Sequence, residues 1–580
     1  MPLTYFLFQV AVALLAIVTY ILHRKLTYFK RRGIPYDKPH PLRGNMEGYK
    51  KTRTVHEIHQ EYYNKYRNSK APFVGFYLFQ KPAAFVIDLE LAKQILIKNF
   101  SNFTDKGIYY NEKDDPMSAH LFNLDGPQWR LLRSKLSPTF TSGKMKFMYP
   151  TIVSVAEEFM TVMHEKVAEN SILDVRDLVA RFTVDVIGTC AFGIKCNSLR
   201  DEKAEFLHFG RRALVDSRHG NLVSGLMRSY PNLARRLGLC RNTAQIQEFY
   251  QRIVKETVTL REKENIKRND FMDMLIGLKN QKDMTLENGE VVKGLTMDEI
   301  IAQAFVFFIA GFDTSSSTMA FALYELAKNP SIQDKVRAEL EQVLEQHDQK
   351  FTYECIKDLK YLDQVINETL RHYTIVPNVD RVAAKRFVVP GKPKFVIEAG
   401  QSVIIPSSAI HHDPSIYPEP NEFRPERFSP EESAKRPSVA WLPFGEGPRN
   451  CIGLRFGQMQ ARIGLAMLIK NFMFSPCSET PDPLIFDPHS AILLGIKGGI
   501  QLKIQLFMGV YHNEATRLAL HMLIAFLSLL LGSAFTNYRQ DDRTPNHSAP
   551  HPFAFSFSSG PHVLILIKFV IQNEARARPC

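Results

Sequence analysis

The chain has 580 residues, 45% of them hydrophobic and 23% charged, with a formal net charge of +13. That balance is ordinary for a globular protein and excludes a wholly disordered chain, a collagen-like fibre and a polytopic membrane protein. Seven scattered cysteines (Cys190, Cys196, Cys240, Cys355, Cys451, Cys477, Cys580), an odd number, form no disulfide framework and fit a cytosol-facing fold with reduced thiols, while the excess positive charge calls for an acidic partner, an anionic membrane or nucleic acid.

Leu3 to Leu22 is an apolar run whose clearly polar members are Thr4, Gln9 and Thr19. At about 1.5 Å per residue it spans the roughly 30 Å hydrocarbon core of a bilayer. Arg24, Lys25, Lys30, Arg31 and Arg32 follow it and no basic residue precedes it, so the positive-inside rule leaves everything after residue 22 in the cytosol. Ala11-Val12-Ala13 resembles a signal-peptide cleavage site. The apolar run continues past it without a charged leader, so residues 1–22 are read as an uncleaved transmembrane anchor. Residues 23–45 form a basic, proline-rich hinge, in which Pro35, Pro39 and Pro41 favour a stiff, extended spacer.

The body, residues 46–507, reads as mainly α with small β-sheets. Phe73–Phe79 and Ala83–Ile87 alternate about Lys81-Pro82 as a hairpin. Trp129–Leu136 is helical, with Asp125-Gly126-Pro127 as its start signal. Pro150–Asn170, with proline at a favoured opening position, and Val175–Phe192 follow. Further helices are expected at Arg241–Asn269, at Thr296–Lys328 (apolar enough in its first half to be buried on most sides), at Asp358–His372 and at Gln458–Asn471. Phe387–Pro430 reads as short strands and coil. No repeat and no linker divides this stretch, so one large domain is expected.

Residues 443–453 read Pro-Phe-Gly-Glu-Gly-Pro-Arg-Asn-Cys-Ile-Gly. Three glycines and two prolines oppose a helix or central strand, leaving a tight loop with a helix just beyond it. There a thiol gains backbone N–H donors and the positive end of a helix, which favour the thiolate that a metal requires. This spacing resembles the haem-binding loop of the cytochrome P450 family. Ala310-Gly311-Phe312-Asp313-Thr314-Ser315 resembles that family's oxygen-activation motif, Glu368-Thr369-Leu370-Arg371 its Glu-x-x-Arg pair, and Phe423–Phe428 the segment whose arginine completes a triad. Thr139–Lys144 and Asp115–His120 most resemble insect microsomal members, family 6, near the vertebrate family 3.

The resemblance implies the P450 haem-thiolate fold with haem b on Cys451. It implies Thr314 and Asp313 as the proton relay, and Trp129, Arg133, Arg381, Phe444, Arg449, Gly453 and Ala310 around the cofactor. Glu368, Arg371 and Arg427 would form a structural triad. His411 and His412 are read as structural residues of a coil. In a helix otherwise apolar for two turns, the Thr314 hydroxyl is expected to bond back to a carbonyl. Helical spacing puts Val306, Phe307 and Ala310 on its face, and Phe122, Ile375, Val376 and Leu493 resemble the other pocket walls. The implied reaction is insertion of one atom of O2 into a lipophilic substrate: a xenobiotic such as a plant toxin or insecticide, or a hormone or fatty acid. Electrons would come from NADPH through a reductase, with cytochrome b5 as a second donor, at the endoplasmic reticulum membrane. The reductase would dock on Arg130, Arg133, Lys135, Lys144 and Lys146. With no sequence-reading motif for it, nucleic acid is not expected. A reductase-independent isomerase or peroxidase and a non-catalytic haem carrier are the alternatives. Residues 508–580 extend past the family's usual end. Leu518–Phe535 is apolar enough for a second membrane helix, the remainder reads as unstructured, and the whole is expected to have no catalytic role.

Overall fold

The computed structural model describes residues 2–281, 284–285, 291–490 and 493–507; the expectations for residues 508–580 lie outside them. The N-terminal run is helix α1 (Pro2–Leu26), long and apolar enough to cross a membrane, and none of its apolar window is buried in the protein. The hinge is no free spacer. Phe29 is fully buried against Gly75, where any Cβ would overlap its ring, and Tyr36 bridges to Gly75. Docking of these aromatics overrides the extended character of the prolines.

Helix α2 (Val55–Tyr66) opens with a capping box between Thr54 and Glu57. Strands β1 (Phe73–Leu78) and β2 (Lys81–Val86) form the expected hairpin. Its turn is Phe79-Gln80 rather than Lys81-Pro82, because Tyr77 pairs with Pro82 and Leu78 with Lys81, and Phe79 takes the left-handed φ of 56°. Helices α3 (Gly126–Leu136) and α4 (Ser142–Glu169) follow. The latter starts two turns before Pro150 and carries it internally; burial of Met145, Met148 and Tyr149 holds those first turns helical. Strand β3 (Ile172–Asp174) leads into α5 (Val175–Ile187), which ends in one wide turn over Gly188–Phe192. Helices α6 (Glu205–Val215), α7 (Asn221–Ser229) and α8 (Pro231–Arg236) follow, where no element is expected from the sequence. After them come α9 (Ala244–Lys263), α10 (Met297–Lys328), α11 (Pro330–Gln346) and α12 (Lys360–His372). Strands β4 (Val379–Val382) and β5 (Ser402–Ile405), helix α13 (Leu454–Asn471) and strands β6 (Phe472–Ser475) and β7 (Gln501–Leu506) complete the body.

The main sheet runs β1-β2-β5-β4, with β2 and β5 parallel and its other pairs antiparallel. A smaller sheet runs β6-β7-β3. Each has its own role: the first packs with α2 in a core that includes Phe73, Phe76 and Phe85, while the second closes the helical core built on α4, α5, α10 and α13. Helix α10 is the axis. Thr296 caps it, accepting from the Glu299 N–H at 3.2 Å while Glu299 accepts from the Thr296 N–H at 2.7 Å. It lies close to its neighbours because glycines face them. A Cβ on Gly311 would stand 2.7 Å from Ile187 of α5, and one on Gly464 of α13 would stand 2.6 Å from Met319 Sδ.

His59 shows what burial costs in the sheet core. Its ring is 2% exposed, edge-on to Phe76 and Phe85 at 5.7 and 5.4 Å, and both its nitrogens lack partners. Burial, then the neighbouring His56 and Arg228, push its protonation from 6.5 down to about 3. Below pH 6.5 the unfolded chain takes up a proton that the folded chain refuses, so stability falls as pH drops toward 3. His59→Phe should therefore stabilise by about 1–2 kcal/mol at neutral pH. Its advantage should widen on acidification by at most about 1.4 kcal/mol per pH unit, measured by denaturant unfolding at pH 7 and pH 5.

Candidate active site

The loop ahead of α13 is shaped by its glycines. Gly445 and Gly447 have φ of 69° and 74°, and a Cβ on Gly447 would overlap the Leu96 carbonyl. The Cys451 N–H donates to the Phe444 carbonyl at 2.8 Å, and the Asn450 N–H to that of Gly447 at 3.1 Å. The result is a compact loop with its thiol outward at the head of α13. Burial raises the Cys451 thiol, opposed by the Gly453 N–H and by Arg133 and Lys106. The residue is nonetheless open rather than packed over. Phe444 packs against Trp441 at 6.1 Å. At Gly453 only Phe140, at 4.0 Å, comes near a would-be Cβ, so the space beside the sulfur is free.

Positive charge gathers there, only partly matched by Asp125, which lies 3.5 Å from Arg449. Arg381 on β4 is 1% exposed; it donates to the Asp380 carbonyl at 2.8 Å, and its Nε and Nη2 have no partner. Arg449 lies 4.6 Å above the Trp129 ring, donates to the carbonyls of Thr104 and Leu124, and keeps an unpartnered Nε. Burial pushes both guanidiniums down to about 10, and Arg449 further depresses Arg381. Lys106 is driven well down by burial, then by Arg449 and Arg381, with its ammonium 3.4 Å from the Phe122 ring centroid. Arg133 donates from both Nη groups to Asn450, at 3.0 Å each. It braces the thiol loop directly. An open thiol, a free cradle at Gly453 and buried cations with orphaned N–H groups fit a flat iron porphyrin with two carboxylates.

The middle of α10 is tied to α13, where Gln460 Nε2 donates to the Gly311 carbonyl at 3.4 Å. Ala310 is exposed although most of that helix is buried. The Thr314 hydroxyl donates to its carbonyl at 2.7 Å, the bond expected from sequence. Burial raises the Asp313 carboxyl, with Arg176 and Arg211 opposing. Val306 is half-buried, Ile375 buried, Val376 and Leu493 half-buried, and Phe122 is 41% exposed. Phe307 departs from its expected place on the pocket wall. Its ring packs on Phe140 at 5.3 Å and Phe271 at 4.3 Å, because those aromatics offer apolar cover that the open side does not.

Glu368 and Arg371 are fully buried, paired at 2.7 and 2.9 Å. Arg427 Nε approaches Glu368 at 3.4 Å, and the Arg424 N–H donates to it at 2.8 Å. Arg371 also donates to the His411 carbonyl at 2.9 Å. His411 accepts from the Leu442 N–H at 2.8 Å and meets Thr374 Oγ1 at 2.7 Å, which leaves no nitrogen for a metal. It closes a short helix, Ser407–His411, rather than lying in coil.

Sequence reasoning missed Lys106, Asn450 and Asp125. Asp125, read there only as part of a start signal, accepts from the Lys106 N–H at 2.8 Å and pairs with Arg449 at 3.5 Å. Only the tertiary fold brings these together, and no local pattern marks them.

This geometry defines a haem-thiolate oxygenase. The cytochrome P450 family profile matches residues 34–504, and the chain belongs to that family. It is 97% identical over 505 residues to the probable cytochrome P450 6a18 of Drosophila melanogaster, covering 87% of this chain and all of that protein. It is 79% identical over the same span to cytochrome P450 6a8 of that fly, again all of that protein. To cytochrome P450 6A1 of Musca domestica it is 48% identical over 84% of this chain and 95% of that one. The insect family 6 resemblance is thus borne out, and the chain is a haem-dependent monooxygenase acting on small molecules with O2.

Replacing Glu368 by Ala should strand the buried Arg371 guanidinium. We expect a loss of about 3–5 kcal/mol and purification largely without haem, read by thermal unfolding and the haem-to-protein absorbance ratio.

Proposed function

We propose that the chain is an endoplasmic-reticulum-anchored monooxygenase of lipophilic compounds, plant toxins and insecticides foremost, with hormones and fatty acids of similar chemistry. The observation that carries this is the open Cys451 thiol at the head of α13, the helix whose Gln460 bonds to the Gly311 carbonyl of α10 between the exposed Ala310 and the Thr314 back-bond. Haem, held by Cys451, supplies the reductive activation of dioxygen. Arg381, Arg449, Trp129 and Lys106 hold its carboxylates. Phe122, Val306, Ile375, Val376 and Leu493 hold an apolar substrate by excluding water.

Thr314 keeps a hydroxyl proton next to the Ala310 carbonyl. Asp313, its carboxyl raised by burial against the opposing Arg176 and Arg211, takes up a proton more readily than an exposed aspartate would. That pair favours oxygen activation over the isomerase, peroxidase and carrier readings. Electrons from NADPH arrive through a reductase, with cytochrome b5 as a second donor. Exposed Arg130, Lys144 and Lys146 near the thiol loop suit an acidic docking face. Lys146 is paired with Glu354 at 3.1 Å, Lys135 with the Lys293 carbonyl at 2.7 Å and Arg133 with Asn450, so Arg130 and Lys144 are the cations left to such a partner.

Thr314→Val should retain haem and the red-shifted carbon-monoxide band. Product per NADPH should fall on the order of tenfold to a hundredfold, with peroxide in its place, assayed with reductase on a lipophilic substrate panel. Cys451→Ser should lose the band altogether; its survival would defeat the reading. The family match ends at residue 504, and strand β7 closes its sheet at Leu506. Deleting residues 508–580 should leave haem content and turnover unchanged, and a loss of either would give the extension a role.

A further inference from the structure

The short helix Tyr28–Arg32 follows α1 directly and ends at Gly33, whose φ of 62° turns the chain. Burial of Phe29 fixes this helix to the body, while Lys30 and Arg31 stay exposed. A second basic element, remote in sequence, stands beside it. Residues 387–397 form a hairpin in which Phe387 pairs with Ile397 and Val388 with Val396. Its base is seated on the sheet core, where Phe387 meets Phe103 at 5.3 Å and Phe395 meets Phe73 at 5.4 Å, both edge-on. Its outer parts are bare. Lys385, Arg386 and Lys394 are exposed, and so is Val388 at 41%.

Specific contacts join the two elements. A Cβ on Gly33 would stand 3.4 Å from Lys394 Nζ. Glu398, just past the hairpin, is shared by Arg32 Nη2 at 3.4 Å and Arg386 Nε at 3.7 Å. Gln401 Oε1 accepts from the Tyr28 hydroxyl at 3.1 Å and from the Glu398 N–H at 3.0 Å. Lys30, Arg31, Arg32, Lys385, Arg386 and Lys394 thus gather in one neighbourhood. Among the described residues, Glu398 is the carboxylate that pairs with any of them. Arg31 donates to the Arg24 carbonyl at 2.6 Å, which leaves its charge uncancelled.

The position of these cations follows from α1. At 1.5 Å per helical residue, Lys30 stands no more than about 12 Å beyond Leu22. The headgroup layer and one Debye length beyond it together reach about 15 Å. An anionic leaflet favours each basic side chain held that close by about fivefold in partition. A docked hinge keeps the hairpin within that range, where a free spacer would let it drift away.

We propose that the helix Tyr28–Arg32 and the hairpin of residues 387–397 form one cationic face that docks on anionic phospholipid headgroups of the membrane entered by α1, with Val388 reaching toward the acyl boundary. The face and α1 are then two attachments, and together they fix the tilt of the body on the bilayer. This rests on the membrane anchor proposed above and goes beyond it.

The experiment places the full-length protein in nanodiscs of phosphatidylcholine alone, or with about 30% phosphatidylserine, and follows amide exchange. Exchange over residues 389–395 should slow about three- to tenfold in the phosphatidylserine discs and lose that slowing at about 0.5 M salt. Exchange in α13 should be the same in both discs. The double variant Lys30→Glu, Lys394→Glu should lose the lipid dependence while its thermal unfolding stays unchanged. Lys394→Gln should cut the slowing by about half, and it decides should the double variant fail to fold. Equal exchange in the two discs, slowing that survives salt, or slowing that the double variant retains would overturn the proposal. A larger slowing from polyglutamate added to phosphatidylcholine discs would give the face to an acidic protein and overturn it too. Exclusion of the protein from both discs, seen by co-elution, would defeat the anchor and this contact with it, a failure distinct from the exchange result. None of these readouts needs haem.

Discussion

Like charges crowded together, with Asp125 paired to Arg449 at 3.5 Å but N–H groups left unfilled, govern the architecture around Cys451. Arg381, Arg449 and Lys106 converge in a buried space where Arg449 depresses the proton affinity of the other two, and the nearest carboxylates leave N–H groups unfilled. Such a cluster is tolerable only when an anion completes it. A flat dianion with a metal would answer the guanidinium donors, the Cys451 sulfur and the open position at Gly453 together. Cofactor binding and folding of this face are therefore linked: the group completes a set of interactions that the protein alone leaves unfinished.

The rest of the body fixes where that face and α10 stand. Small residues at the crossings set the spacing, Gly311 against Ile187 and Gly464 against Met319. A side chain at either crossing would push α10 away from a neighbour. The Glu368–Arg371–Arg427 group acts at a distance from the chemistry. Through the His411 carbonyl and the Arg424 N–H it ties α12 to the segment that leads into the thiol loop. The His411 ring then reaches the Leu442 N–H, just ahead of Phe444. A buried ion pair contributes little net stability by itself but penalises every arrangement that separates its members, which suits a device for holding a loop in one position.

What could be read from the sequence divides along the same physical line. The thiol loop was legible because its backbone needs glycine at particular positions. The start of α10 was legible because Thr296 and Glu299 satisfy each other locally. The back-bond of Thr314 spans one helical turn and followed from residue type alone. Where the decision is tertiary, the sequence says less. Pro150 marks a helix start by propensity, yet packing of the preceding methionines extends α4 through it. Phe307 has the right spacing for the pocket but finds aromatic partners elsewhere. Lys106 acquires its meaning only when β4 and the thiol loop bring two arginines to it. Helices α6 and α7 are strongly amphipathic and were legible in principle, whereas α8, at 6 residues, is too short to show a period.

The docked hinge gives the site its orientation. An extended spacer would let the body swing freely on its anchor. Burial of Phe29 against Gly75 removes that freedom directly after α1, and the Tyr77 hydroxyl adds a bond to the Leu26 carbonyl at 2.9 Å. The Lys25–Tyr230 contact extends the attachment to the α7–α8 segment. Exposed Leu233 and Leu237 lie on that segment, beside a helix suited to lipid. Apolar surface in that setting is cheaper against acyl chains than against water. The base of α1, the docked hinge and the α7–α8 segment thus lie in one hydrogen-bonded neighbourhood.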